Sequence, residues 1–380
     1  MHRSQFSLPA GSLTINHVCD TEVLNGYLDV AQRKNPKRPF LFVSKVLGRH
    51  IPVKPSDMTA TFDALASGVA DTATGEVTCI GMAETAVGLG AGVHNSLLKL
   101  GLDSVYISST RYPVNDVPVF CEFKEEHSHA KSHYLHLPAD EVIRQRFLNT
   151  RVLVLIDDEA STGKTLFNLT SSLLASGLSN VERVITVSLT DWSNNAVHQL
   201  LAQNESTSHL EHDNVSLIDG SFTWSQSDGH DMSQYASSID KNDKSLPLGD
   251  ITIPPNECRL GFGGSDFKIP HDALEGIAGR VLVLGTGEFA WQPYLIAKHL
   301  EEKGLDVSFS STSRSPVSIG GAIKRKLELK DNYGQNIDMF AYNVSPEDYD
   351  HVIICSETPA ELFDQTLLSE MHNAKVIYCE

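Results

Sequence analysis

The sequence predicts an α/β protein of two domains, each with a mostly parallel sheet flanked by helices. Three observations predict it. Val152–Ile156 is an unbroken apolar run, the pattern of a strand buried on both faces of a parallel sheet. That run is followed by a small-residue turn and then a helical pattern, and Val77–Gly81 and Gly279–Leu284 behave in the same way. The stretches after Ile80 and after Leu284 also read alike, which points to a repeated unit.

Composition narrows the class. A chain of 380 residues is long enough for two domains. Its 41% apolar and 21% charged residues are ordinary for a soluble globular protein. No apolar run approaches the roughly 18 residues of a membrane span, and the opening MHRSQFSLPAGSLTI has no signal-peptide core. A net charge of −18 argues against nucleic-acid binding through bulk electrostatics. Cys19, Cys79, Cys121, Cys258, Cys355 and Cys379 form no CxxC pair and read as reduced thiols, so a cytoplasmic location is expected.

Taken in order, Leu13–Ile15 with Val18 suggests a short strand and Leu24–Gln32 a helix, before Pro36 and Pro39 break the chain. Phe40–Val43 starts an apolar segment followed by Lys45, Arg49 and His50. These cations suit anionic oxygens, or form a solvated basic turn. Ala60–Ala70 reads as a helix. The strand Val77–Gly81 enters the turn Met82-Ala83-Glu84-Thr85 and a helix that ends near Leu100. Strand, small-residue loop and helix make an anion cradle. Ser104–Ser109 is the next strand, and Arg111 beyond it is a candidate fork for phosphate or carboxylate. Residues 114–136 form a loop rich in Glu and His. From the residues alone it is a metal site of His127, His129 and His133 or a solvated loop; it has neither HExxH nor a fixed zinc spacing.

The densest motif is RVLVLIDDEASTGKTL, residues 151–166. After the strand come Asp157, Asp158 and Glu159, then the turn Ala160-Ser161-Thr162-Gly163-Lys164-Thr165, then a helix from about Leu166. The turn's N–H groups and the helix N-terminus attract phosphate. Ser161, Thr162 and Thr165 offer hydroxyl donors, and Gly163 lets the backbone approach closely. The acids would repel phosphate; they suit the neighbouring hydroxyls of a sugar, or Mg²⁺ held through water. Gly163-Lys164-Thr165 spells the end of a Walker A loop, but the Gly required five residues earlier is Asp158.

Val181–Leu189 is a further strand and Asn195–Leu201 a helix. Residues 204–256 turn polar and read as a linker or insertion, with Trp224 and Tyr235 suggesting local packing. The expected division is therefore 1–203, 204–256 and 257–380. In the last part, a strand ending at Leu284 leads to Gly285-Thr286-Gly287-Glu288, a helix over Trp291–Lys303, and a strand over Val307–Ser311. Gly81, Glu84, Gly101, Arg111 and Pro113 fall opposite Gly285, Glu288, Gly304, Arg314 and Pro316 with one gap. The repeat keeps an anion cradle of Gly285, Thr286, Gly287, Glu288, Arg314 and Ser315. After Val352–Cys355, however, Ser356-Glu357-Thr358-Pro359 replaces the acids and the hydroxyl loop. Gly285-x-Gly287-x-x-Ala290 also fits a dinucleotide fingerprint, for which Ser313 and Arg314 would suit the 2′-phosphate of NADP.

The apolar strand, paired acids and T-G loop resemble the type I phosphoribosyltransferases. More narrowly, FVSKVLG, HIPV, MAETA, STRYP, EEHSHA, DDEASTGKT, LGTGEF and TSRSP resemble the phosphoribosyltransferase linked to a TRSP domain, found in tellurite-resistance-associated biosynthetic operons. The resemblance implies a type I phosphoribosyltransferase fold in the first domain and a related α/β fold in the second. It implies 5-phosphoribosyl pyrophosphate (PRPP) as substrate, Mg²⁺ as cofactor, a small-molecule acceptor, and pyrophosphate release. Asp157 and Asp158 would hold the ribose hydroxyls or the metal, and Ala160 to Thr165 the 5′-phosphate. Lys45, Ala83, Glu84, Thr85 and Arg111 would address pyrophosphate. The loop 114–136 becomes a hood that excludes water, with Glu126, His127 and His129 as acid, base or electrostatic groups. A PRPP- or nucleotide-sensing protein without catalysis stays open, as do a homodimer and operon-encoded partner proteins.

Overall fold

The computed structural model describes residues 1–33, 35, 38–124, 132–227 and 253–379. The chain forms two compact units that interleave along the sequence. One unit, central in the sequence, holds Thr59–Ser221 and Ser245–Asp266; the other, which flanks it in the sequence, holds Met1–Met58, Phe222–Lys244 and Phe267–Glu380.

The flanking unit begins with β1 (His2–Leu8) and β2 (Gly11–His17), an antiparallel hairpin. A short helix, Thr21–Tyr27, then stops where a helix to Gln32 was expected. Leu28–Gln32 is instead a strand, β3, paired antiparallel with β4 (Phe40–Ser44). The reason is partnership: Val30 and Ala31 are buried, and the ladder to β4 satisfies a backbone that a helix would have satisfied locally.

The central unit carries the parallel sheet. After helix Pro55–Thr72 come β5 (Val77–Gly81), helix Ala86–Lys99 and β6 (Ser104–Ser108). The segment 114–136, expected as a loop, contains an antiparallel hairpin, β7 (Val119–Lys124) with β8 (Ser132–His136). Helix Glu141–Leu148 follows, with Asp140 capping it through Ile143 N–H. Then come β9 (Val152–Ala160), helix Lys164–Ala175, β10 (Arg183–Asp191) and helix Ala196–Gln203. β11 (Glu211–Gln226) lies inside the polar stretch that reads as a linker; its first part pairs parallel with β10. The strand order is β11-β10-β9-β5-β6, all parallel. Val152–Ile156 is buried, as its composition dictates, and burying each such side chain contributes about 1.5–3 kcal/mol.

The flanking unit then supplies a second parallel sheet. Its strands are β12 (Arg280–Gly285), β13 (Asp306–Ser311), β16 (His351–Ser356) and β17 (Ala374–Tyr378), in the order β13-β12-β16-β17. Helix Trp291–Glu302 connects the first two. A hairpin of β14 (Lys326–Lys330) and β15 (Asp338–Tyr342) precedes β16. Its core gathers Leu282, Leu284, Met339, Ile354, Phe363 and Leu367. Residues 40–53 belong to this unit too. Val53 and Phe309 exchange backbone hydrogen bonds of 3.0 and 2.7 Å, and Ser311 N–H donates to Gly48 O at 2.8 Å.

Candidate functional site

In the central sheet the chain runs from β5 outward to β6 and then returns to β9 on the other side of β5. The crevice beyond the carboxyl ends of β5 and β9 is therefore the topological switch point, where parallel sheets open a space for ligands.

The β5 side is built by hydrogen bonds that fix its loop. Met82 N–H donates to Ile156 O at 2.9 Å and Ser109 N–H to Gly81 O at 2.9 Å. Ala83 N–H donates to the Ser109 hydroxyl at 2.9 Å. The Ala83–Glu84 peptide is cis. Ala83 is buried; Glu84 and Thr85 are half-buried. Tyr106 OH donates to Val87 O at 2.7 Å and pins the start of the following helix.

On the β9 side, Asp157, Asp158 and Glu159 are half-buried in the last part of the strand. Successive strand residues alternate faces, so Asp157 shares a face with Glu159 and Asp158 points to the other. Asp157 also accepts from Asp158 N–H at 2.9 Å. Opposite Asp157 in the ladder sits Ser188, whose buried hydroxyl has no hydrogen-bond partner among the described residues. No sequence signal singles Ser188 out. Gly163 caps helix Lys164–Ala175 with φ +70° and brings no side chain to its first turn. A Cβ there would lie 2.7 Å from Val197 Cγ2 and 2.9 Å from Val197 N. The helix starts at Lys164, two residues before the expected Leu166, which places Lys164 and Thr165 in its first turn.

The β6 end contributes Ser109, which is buried, and half-buried Arg111. Thr110 and Tyr134 exchange backbone hydrogen bonds of 2.9 and 2.8 Å, joining this end to the hairpin. His133 lies 3.2 Å from the Ser109 hydroxyl through Nδ1 and stacks on Phe123 with centroids 4.8 Å apart. Ser109 accepts from Ala83, and its second lone pair or its proton meets His133 Nδ1 according to the tautomer of the imidazole. His136 accepts from Val114 N–H at 3.1 Å, and burial holds it neutral by lowering its pKa.

The expected hood residues Glu126, His127 and His129 lie outside the described residues, as does Tyr235. Among the described residues no group of three His, Cys, Asp or Glu side chains is placed to hold a metal. The basic stretch 45–50 belongs to the flanking unit. There Lys45 Nζ donates to Asn25 O at 2.7 Å. Arg49, read from sequence as a cation for anionic oxygens, is buried and donates to Gly287 O at 2.8 Å and to Thr312 O. His50 beside it is buried and its pKa drops to about 3, through desolvation first and then the charges of Arg49 and Arg33. Gly285 ends β12 and Thr286, Gly287 and Glu288 follow it, and Arg314 and Ser315 follow β13.

Residues 27–221 match the family described as phosphoribosyl transferase, a little over half of the chain. The chain belongs to this family. Residues 271–371 match the TRSP domain that lies C-terminal to it. No curated protein matches the chain. Among solved structures, it is similar to adenine phosphoribosyl transferase from Trypanosoma brucei in complex with AMP, pyrophosphate and ribose-5-phosphate, at 14% identity and TM-score 0.38, over 73% of this chain and 100% of that one. It is also similar to the adenine phosphoribosyltransferase of Rhodothermus marinus, at 16% identity and TM-score 0.33, over 51% and 96%. A third is that of Leishmania donovani, at 13% identity and TM-score 0.35, over 51% and 78%.

Proposed function

We propose that this phosphoribosyltransferase-family chain moves the 5-phosphoribosyl group of PRPP onto a nitrogen of a base-like acceptor and releases pyrophosphate. The observation that carries the reading is the crevice at the switch point, with a glycine-capped, hydroxyl-bearing helix start on one strand and acids beside it. The N–H groups and hydroxyls of Ala160 to Thr165, with Lys164, take the 5′-phosphate. Asp157 and Asp158 accept hydrogen bonds from the ribose hydroxyls. Ala83, Glu84, Thr85 and Arg111 face the pyrophosphate. The C1–O bond breaks and its electron pair leaves with pyrophosphate. The acceptor nitrogen forms the new C1–N bond and gives up its proton. The chain contributes position and electrostatics rather than a covalent intermediate.

The two acids leave opposite faces of β9 and form no protein cage, so the residues fit a Mg²⁺ shared between one carboxylate, substrate oxygens and water. When bound, such an ion neutralises the departing pyrophosphate. The family resemblance extends the proposal to a nucleoside-like metabolite in a stress-resistance pathway, tellurite resistance included. The proposal also keeps the division of the sequence into 1–203 with the transferase motifs, 204–256 as an insertion and 257–380 as the TRSP-like part, with residues 1–58 folded into the same compact unit as the last part and β11 adding a strand to the first.

The test is pyrophosphate release on incubation with PRPP, Mg²⁺ and a panel of bases. We expect release with at least one base and a loss of about 100-fold or more in Asp158→Asn. Tight PRPP binding with no release for any base would make the protein a sensor instead.

A further inference from the structure

We propose that the TRSP-matching half is a second copy of the phosphoribosyltransferase fold whose crevice is closed by its own hairpin. The chain then has one phosphoribosyl site and one self-plugged copy. The count of ligands rests on the PRPP reading above; the plug does not.

The two copies agree strand by strand. The order β6-β5-β9-β10 in the central sheet reappears as β13-β12-β16-β17, all parallel. The loops agree bond by bond. Ser109 N–H donates to Gly81 O at 2.9 Å, and Thr312 N–H to Gly285 O at 3.1 Å. Ala83 N–H donates to the Ser109 hydroxyl at 2.9 Å, and Gly287 N–H to the Thr312 hydroxyl at 2.8 Å. Thr110 and Tyr134 exchange backbone bonds of 2.9 and 2.8 Å; Ser313 and Phe340 do so at 2.8 and 2.7 Å. Tyr134 and Phe340 are each the third residue of the second strand of an antiparallel hairpin. The hairpin of the hood is thus repeated as well as the sheet. Gly81 stands opposite Ile156; Leu284 stands opposite Ile354, so Gly285, the counterpart of Gly81, comes level with Cys355. Counting onward from these pairs puts Ser356 at the place of Asp157 and Glu357 at that of Asp158.

The copies differ where a ligand would sit. Thr358-Pro359 stands where the central copy starts its hydroxyl loop, and the next helix, Gln365–Glu370, has six residues. The turn of the second hairpin is folded onto the end of β16. Asn332 Nδ2 donates to the hydroxyls of Ser356 at 3.3 Å and Thr358 at 2.7 Å. Tyr333 OH donates to the Glu357 carboxylate. Asp331 holds the turn by accepting from the N–H groups of Tyr333, Gln335 and Ile337 at 3.0, 3.1 and 2.7 Å. Arg49 occupies the carbonyls of Gly287 and Thr312. Glu357 is buried under the Tyr333 contact. On this proposal the cradle expected at Gly285 to Glu288, Arg314 and Ser315 packs the second copy and binds no phosphate.

Two measurements on the full chain test it. Calorimetric titration with PRPP and Mg²⁺ should give one site per chain, abolished by Asp158→Asn and changed less than about twofold by Glu357→Gln. Two sites, or a tenfold loss in Glu357→Gln, would overturn the proposal. Thermal unfolding of Tyr333→Phe, Glu357→Ala and the double variant tests the plug without any ligand. Each single change should lower the midpoint by about 2–4 °C and the double by no more than the worse single, because both remove one interaction. Additive losses would overturn the plug. Absence of PRPP binding would sink the functional reading, and the unfolding cycle would still decide this one.

Discussion

Gly163 shows how much one residue settles at the site. Its φ of +70° lies where side chains are strained, and Val197 fills the space a Cβ needs. Gly163→Ala should cost about 1–3 kcal/mol in denaturant unfolding and, on the proposed function, weaken PRPP binding, because the turn at 160–165 must shift. An unchanged midpoint with unchanged binding would refute the strain argument. Ser109 acts one step back from the crevice. Ser109→Ala removes the acceptor of Ala83 N–H and the hydroxyl that faces His133. It should lower kcat/KM at least tenfold while Ser109→Thr, the type of group the second copy uses at Thr312, restores most of it. The acids and the hydroxyl turn were legible because residue type alone restricts their chemistry. Ser109 was legible only as the first residue of the STRYP motif. Its pairing with His133 was not, since 24 residues separate them.

Elements with one dominant period were legible, and elements defined by a partner were not. β9 and β12 announce themselves by unbroken apolar runs that only a two-sided sheet can bury. β3 resembles the end of a helix until β4 pairs with it, and β11 hides in a polar stretch because its residues are mostly half-exposed. Buried histidines attach a pH dependence to this scale. His94, on helix Ala86–Lys99, bonds Ser104 at 2.7 Å and is lowered to about 3, chiefly by burial. His50 is lowered to about 3 and half-buried His212 to about 4, again chiefly by burial. The unfolded chain therefore binds more protons than the folded one below the ordinary value of 6.5. Stability should be full above that pH and fall as pH drops toward 4, by up to about 1.4 kcal/mol per pH unit for each of His50 and His94. Unfolding midpoints measured from pH 7 to 5 check this, and a flat profile would contradict it.

For the whole molecule, the units do not follow the order of the chain. Ala31 and Val43 sit in one core with Val317, Ile323, Phe340 and Tyr342, and residues 48–53 line the edge of β13. A fragment of residues 257–380 should therefore expose this core and be insoluble or lack cooperative unfolding, and co-expression with residues 1–58 should rescue it. A fragment that unfolds cooperatively alone would show that the early segment is dispensable. The sequence by itself determined the class of fold, the acidic strand end, the hydroxyl-bearing turn after it and the repeat, because burial on both faces, charge and glycine geometry are local demands that residues state directly. Only the tertiary structure decided that the early basic segment builds the second unit, that a hairpin closes its crevice, and that β3 is a strand. Those outcomes depend on which backbone and polar groups find each other across tens or hundreds of residues, and no spacing in the chain encodes that choice.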